Sequence, residues 1–222
     1  MLQFQFEDKF RSESEIFYER QEKAFENLTD EDLEELGISQ ANKQISIKQL
    51  AQTFLALQGE IDNISRLSDV FEDEKLYYKT FKKEYLEADS RRILLAYKIQ
   101  FRLTPIIDKI KEQGKRKYEF VKHAKNLIWA LLIQALLHDD NIDNLLNDYG
   151  HSLTRGIEVN FKEYLKETAS RKIRPILSKL IENNNYMKSI EEEKYTFLRT
   201  KVVYQEAMDI ARKKYRWEKL TF

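Results

Sequence analysis

The 222-residue chain has no cysteine, two prolines, five glycines and three histidines. The missing thiols exclude disulfides, thiolate nucleophiles and every cysteine-based zinc site, and they fit a reducing cytoplasm, the compartment expected here. No apolar run reaches the ~20 residues that span a bilayer. The longest, LIWALLIQALL from Leu127 to Leu137, contains Gln134 and reads as a buried core helix. The opening MLQFQFEDKF lacks the basic start and small-residue cleavage site of a signal peptide. Also missing are a Gly-rich phosphate loop, an HExxH zinc motif and a Ser/His/Asp arrangement. Glu192/Lys194 and Asp73/Lys75 have the carboxylate–lysine spacing of Mg²⁺ nuclease cores, but such cores use strands and both pairs fall in helical segments. No cofactor, metal or membrane partner is expected.

Charged residues make up 34% of the chain and apolar ones 42%, a balance that suits a folded domain rather than a disordered or membrane-embedded one. The zero net charge conceals an asymmetry. Residues 1–40 carry 12 acids against 4 bases, and the remainder 26 acids against 34 bases. An acidic end and a basic remainder attract each other or face different partners.

Abundant Leu, Lys, Glu, Ala and Gln with so little Gly and Pro predicts an all-α, irregular multi-helix bundle. A short extended segment is expected near residues 16–20, where IFYER clusters aromatic and branched residues without helical spacing. Thr29 with Asp32 forms a capping-box-like start and Gly37 a stop. Ile47, Leu50, Phe54 and Leu57 share one face of a helix that Gly59 closes, and a further helix is expected from about Glu72 to Leu86. The spacing then predicts one helix bent at Pro105 and ended by Gly114, one from Lys115 through Leu137, and a short one in HDDNIDNLLNDYG. Beyond these it predicts a long helix broken before Pro175, and a last helix from Ser189, capped through Glu192, to Trp217. The candidate domain boundary lies at residues 87–90, separating a smaller unit, 1–88, from a larger bundle, 89–222.

Residues 16–81 carry a distinctive order of elements: the aromatic-charged IFYER, the acidic TDEDLEEL, the amphipathic ISIKQLAQTFLALQG and the Phe/Tyr-rich LYYKTF. In this order the chain resembles the AIPR family, the abortive-infection phage-resistance proteins of bacteria, and a weaker likeness continues through AYKI and FVKHAKNLIWAL in residues 94–137. The resemblance implies that the chain is the C-terminal helical portion of a longer antiphage protein. It would be non-catalytic on its own, serving assembly, sensing or nucleic-acid positioning for a nuclease-like region of the same protein or of a partner subunit, with a second copy of the chain as a further candidate partner. Phe17, Tyr18, Glu19 and Arg20 match the family's segment, although no glycine follows within residues 21–24. Tyr18, Glu19 and Arg20 exceed what a helical core requires and mark an expected functional surface.

Other residues suggest chemistry more weakly. Arg116 and His123 have the Arg-x6-His spacing of HEPN ribonucleases, in which the histidine is acid/base and the arginine holds the scissile phosphate. That alternative needs both side chains to converge in an open basic cleft and fails if His123 is buried against Trp129. His138-Asp139 is similar to the metal-binding pair of HD phosphohydrolases but equally suits a helix end. DDNIDN fails as a calcium loop because Asn144 and Gly150 stand where glycine and glutamate are required. Basic residues gather in two stretches, Lys109–Lys125 with Lys115, Arg116, Lys117, Lys122 and Lys125, and Ala211–Lys219 with Arg212, Lys213, Lys214 and Arg216. Tyr118, Phe120, Tyr215 and Trp217 interleave them, a mixture suited to phosphate contact plus base stacking. Solvated lysines at a helix start and a helix end explain the same pattern.

Overall fold

The computed structural model describes residues 47–64, 90–150 and 155–218, and every regular element among them is helical, as the sequence predicts. Tyr18, Glu19 and Arg20, the extended segment, the acidic helix and the Glu72–Leu86 helix lie outside the described residues.

Helix α1 (Ile47–Gln58) leads through Gly59 into α2 (Ile61–Ile64). Gly59 takes φ +70, and Glu60 N–H and Gly59 N–H donate to Leu55 O (2.9 Å) and Ala56 O (3.1 Å), satisfying carbonyls that the helix end leaves bare. A Cβ there would also meet the Tyr204 ring at 2.0 Å, so glycine is required twice over. Helices α3 (Ser90–Phe101) and α4 (Leu103–Gly114) are separate, with the break at Arg102 rather than a bend at Pro105. Pro105 thereby falls in the first turn of α4, where its missing N–H costs nothing.

Residues Lys115–Ala124 form a 3-10 segment, with Tyr118 out of helical geometry at φ −111, ψ 19. Only Lys125–Leu137 is α-helical, as α5, so the single helix expected from Lys115 to Leu137 is two elements. All of Leu127–Leu137 is buried, which makes α5 the central rod of the core. Its two polar handles serve neighbouring backbones. Gln134 Nε2 donates to Leu57 O at the C-terminus of α1 (3.3 Å), and Trp129 Nε1 donates to Ala96 O in α3 (2.8 Å). Phe54, Leu55, Ile61 and Ile64 belong to this same core, so residues 47–64 pack as part of the larger bundle.

Helix α6 (Ile142–Gly150) follows a turn in which Asn141 N–H donates to Asp139 Oδ1 (3.1 Å). Helix α7 (Arg155–Thr168) then passes through a π-turn, Ala169–Ile173, into α8 (Arg174–Leu180) without the break expected before Pro175. Arg174 N–H reaches five residues back to Ala169 O. The wider turn relieves the clash between the proline ring and the carbonyl four residues earlier, that of Arg171. The Tyr215 hydroxyl supplies the donor that Pro175 lacks, lying 3.0 Å from Arg171 O and 3.3 Å from Lys172 O.

The last expected helix is likewise divided into α9 (Asn184–Glu191), a 3-10 turn (Thr196–Arg199) and α10 (Lys201–Tyr215). Asn183 caps α9 through Asn185 N–H, and Glu193, at φ 55, ends it with Lys194 N–H on Ser189 O (2.8 Å). The true cap of α10 is Thr200, whose hydroxyl accepts from Val203 N–H (3.4 Å), so Glu192 closes one helix rather than starting the next. Lys201 pairs with the mostly buried Glu60, fastening α10 to the turn after α1.

Candidate nucleic-acid interface

The two basic stretches, far apart in sequence, approach each other across α8. A groove of about 630 Å³ is lined by Tyr118 from the 3-10 segment, by Arg174, Pro175, Ser178, Lys179 and Glu182 in and just after α8, and by Ile210, Lys213 and Lys214 from the last turns of α10. Four cations face one carboxylate. Lys179 engages Glu182 at 2.6 Å, a hydrogen bond that holds the Glu182 carboxyl below its ordinary range, with further help from the field of Lys117. Arg174 is held only by neutral groups here, Gln113 O at 3.4 Å and Gln113 Oε1 at 3.3 Å, so its charge is undiminished. Lys117 and Lys214 lie over the Tyr118 and Tyr215 rings, at 5.9 and 5.5 Å from the centroids. None of Lys117, Lys213 and Lys214 is ion-paired among the described residues. On the groove wall the Tyr118 hydroxyl and Ser178 Oγ are 2.8 Å apart.

A larger cleft, about 890 Å³ between α4 and α7, has the opposite character. Its three cations are all taken up in local pairs, Lys109–Glu112 at 4.0 Å, Lys166–Glu163 at 2.7 Å and Arg171–Glu167 at 2.6 Å, and Asp108 leaves the lining one acid in excess. Walls whose cations are already paired, with a carboxylate to spare, have no preference for an anion.

The other candidate residues divide clearly. Arg212 is tied to Asp209 at 2.7 Å and Arg216 is exposed in the left-handed region at φ 58, neither lining the groove. Lys125 is exposed at the start of α5, and Lys122 is exposed beside His123. The backbones of Lys115 and Arg116 lie in the 3-10 segment, while their side chains are outside the described residues. The aromatics expected to stack bases are turned inward: Tyr118, Phe120 and Trp217 are 5%, 1% and 2% exposed. Arg174, Ser178 and Lys179 were not among the sequence candidates. Their signal was the four-residue spacing of Arg174 and Ser178, which puts them on one helix face.

No protein-family model, curated protein or solved structure matches this chain.

His123 stacks face to face on Tyr195, with ring centroids 4.1 Å apart and planes at 6°, while the Trp129 indole serves Ala96. Burial, then the fields of Lys122 and Arg199, hold its pKa below the ordinary histidine value, which favours the neutral ring. The His138-Asp139 pair is fully engaged. The two His138 nitrogens lie 2.8 Å from Gln134 O and 2.7 Å from Glu218 O, fastening the C-terminal segment to the end of α5. Asp139 accepts from Tyr164 Oη (2.7 Å) and Asn141 N–H, with Lys172 at 3.5 Å; burial opposes its ionisation, but these donors together keep its carboxyl below the usual range. Among the described residues no cluster suited to a metal ion occurs, and no helix is long and apolar enough to cross a membrane.

Proposed function

We propose that this chain is a helical module that positions nucleic acid for a nuclease-like region, in a bacterial antiphage protein of the AIPR type, and is not itself catalytic. The groove beside α8 is the observation that carries the nucleic-acid part of this reading. It brings Lys213 and Lys214 of one basic stretch together with Arg174 and Lys179, with the exposed Lys117 of the other stretch close enough for its field to reach Glu182, and its excess positive charge complements a phosphate backbone. The defence setting is supported by the resemblance over residues 16–81, of which α1 and α2 fall among the described residues.

The test is fluorescence anisotropy with labelled nucleic acid and the full chain. Wild type binds, and Lys213→Glu/Lys214→Glu weakens binding at least about tenfold with unchanged melting, since each reversed charge replaces a phosphate contact with repulsion. Equal affinity of the variant refutes the groove. The alternative, a HEPN-like ribonuclease using Arg116 and His123, is supported by their spacing and by the lowered pKa of His123, which favours the unprotonated form that a general base needs. It predicts RNA cleavage by the isolated chain that His123→Ala abolishes. A non-catalytic module shows none.

A further inference from the structure

We infer that the groove takes the sugar-phosphate backbone of a duplex, read by charge and hydroxyl donors alone, without sequence preference and without a stacked base. This rests on the reading above that the chain binds nucleic acid, and it narrows the ligand. A single-strand site derives much of its affinity from aromatic faces on which bases stack, about 1–3 kcal/mol for each base. Here the rings that the sequence interleaves with lysines have been drawn into the core. Phe120 and Trp217 are almost wholly buried, and the Tyr118 ring is a wall whose hydroxyl meets Ser178. Tyr215 is partly buried, with its hydroxyl committed to the π-turn carbonyls.

What faces solvent is charge: Lys117, Lys213 and Lys214 without ion pairs among the described residues, and Arg174 on neutral partners. The bonded Ser178–Tyr118 hydroxyl pair leaves one hydrogen as a neutral donor suited to a phosphate oxygen. A charge-only surface favours the ligand with the denser phosphate array, which is the duplex, at one charge per about 1.7 Å of axis.

With Lys179 committed to Glu182, three lining cations remain to meet phosphates, Arg174, Lys213 and Lys214, and the exposed Lys117, whose field reaches Glu182, stands beside the groove as a fourth. The expected slope of log K against log salt is then about −3.6, a loss of roughly 150-fold between about 50 and 200 mM salt. The experiment titrates the full chain with a labelled duplex and with either of its single strands, in two unrelated sequences, across that salt range. The expected result is a duplex bound roughly tenfold tighter than either strand, the same affinity for both sequences, and a slope that falls by about 2 in Lys213→Ala/Lys214→Ala. Lys213→Arg/Lys214→Arg keeps the slope, and unchanged melting of the alanine variant separates lost contact from lost fold. Tighter binding of single strands, or a tenfold dependence on base sequence, overturns this inference and leaves nucleic-acid binding standing. Binding of neither form overturns both, and a slope unchanged in the alanine variant removes the groove as the site.

Discussion

The π-turn before Pro175 makes a prediction about one hydroxyl. Arg174 N–H bonds five residues back while Pro175 has no N–H to offer, so the Arg171 carbonyl, four residues before the proline, loses its intrahelical donor. Tyr215 Oη, at 3.0 Å from Arg171 O and 3.3 Å from Lys172 O, occupies that position. Tyr215→Phe removes the hydroxyl and keeps the ring against Trp217. At a partly buried site the loss of one neutral hydrogen bond costs about 1 kcal/mol. For a chain of this length that lowers Tm by roughly 2–4 °C. The double-mutant cycle with Pro175→Ala is more incisive, because alanine restores an N–H within reach of Arg171 O. In that background Tyr215→Phe costs close to nothing, giving a coupling of about 1 kcal/mol between residues separated by 40 positions of sequence. Urea unfolding followed by far-UV circular dichroism measures all four proteins. Equal losses in both backgrounds would refute the claim that the tyrosine substitutes for the donor that proline lacks.

Three further perturbations follow from the same geometry. Gly59→Ala forces a Cβ at φ +70 into the Tyr204 ring, costing about 2–4 kcal/mol by adding left-handed strain to overpacking, measurable as a lower urea midpoint with unchanged slope. Gln134→Leu leaves Leu57 O without its buried donor and costs about 1–3 kcal/mol despite the more apolar side chain; a stabilised variant would show that the bond is dispensable. Asp139 has a depressed carboxyl pKa, so its contribution is present above the ordinary aspartate value of about 3.9 and is lost as pH falls through the folded value. Asp139→Asn should therefore melt below wild type at pH 7 and converge with it in acid, and a gap that persists there would point to shape rather than charge.

What could be read from the sequence depended on whether an element announced its own end. Helix α1 was legible because its apolar positions recur at helical spacing and Gly59 marks the stop. The α9–α10 region was not, since Glu193 closes α9 in a left-handed conformation that glycine usually signals, and Thr200 caps α10 without an acidic partner. The π-turn was hidden for a different reason. Pro175 spoke for a break, and only the distant Tyr215 made a continuous helix tolerable. Of the site, Lys213 and Lys214 were visible as charge, but the inward turn of Tyr118, Phe120 and Trp217 was not. An aromatic beside a lysine has the same local signature whether its ring stacks on a base or fills a core.

The meeting of the two basic stretches depends on residues that are not basic. A Cβ on Gly114 would lie 1.7 Å from Tyr118 Cδ2, so the ring can fold back only over a bare Cα. That position, with the non-helical backbone at Tyr118, brings the phenol to Ser178 on α8 while the adjacent Lys117 remains exposed. A regular α-helix through this segment would advance each residue by about 100° and lose that arrangement. Placement and charge are thus set by different residues, and the two kinds of damage differ in kind. Removing a lysine changes how many counterions are released, and hence the salt slope. Displacing the Tyr118 wall leaves the number of cations intact while disturbing where they point, so affinity falls at constant slope.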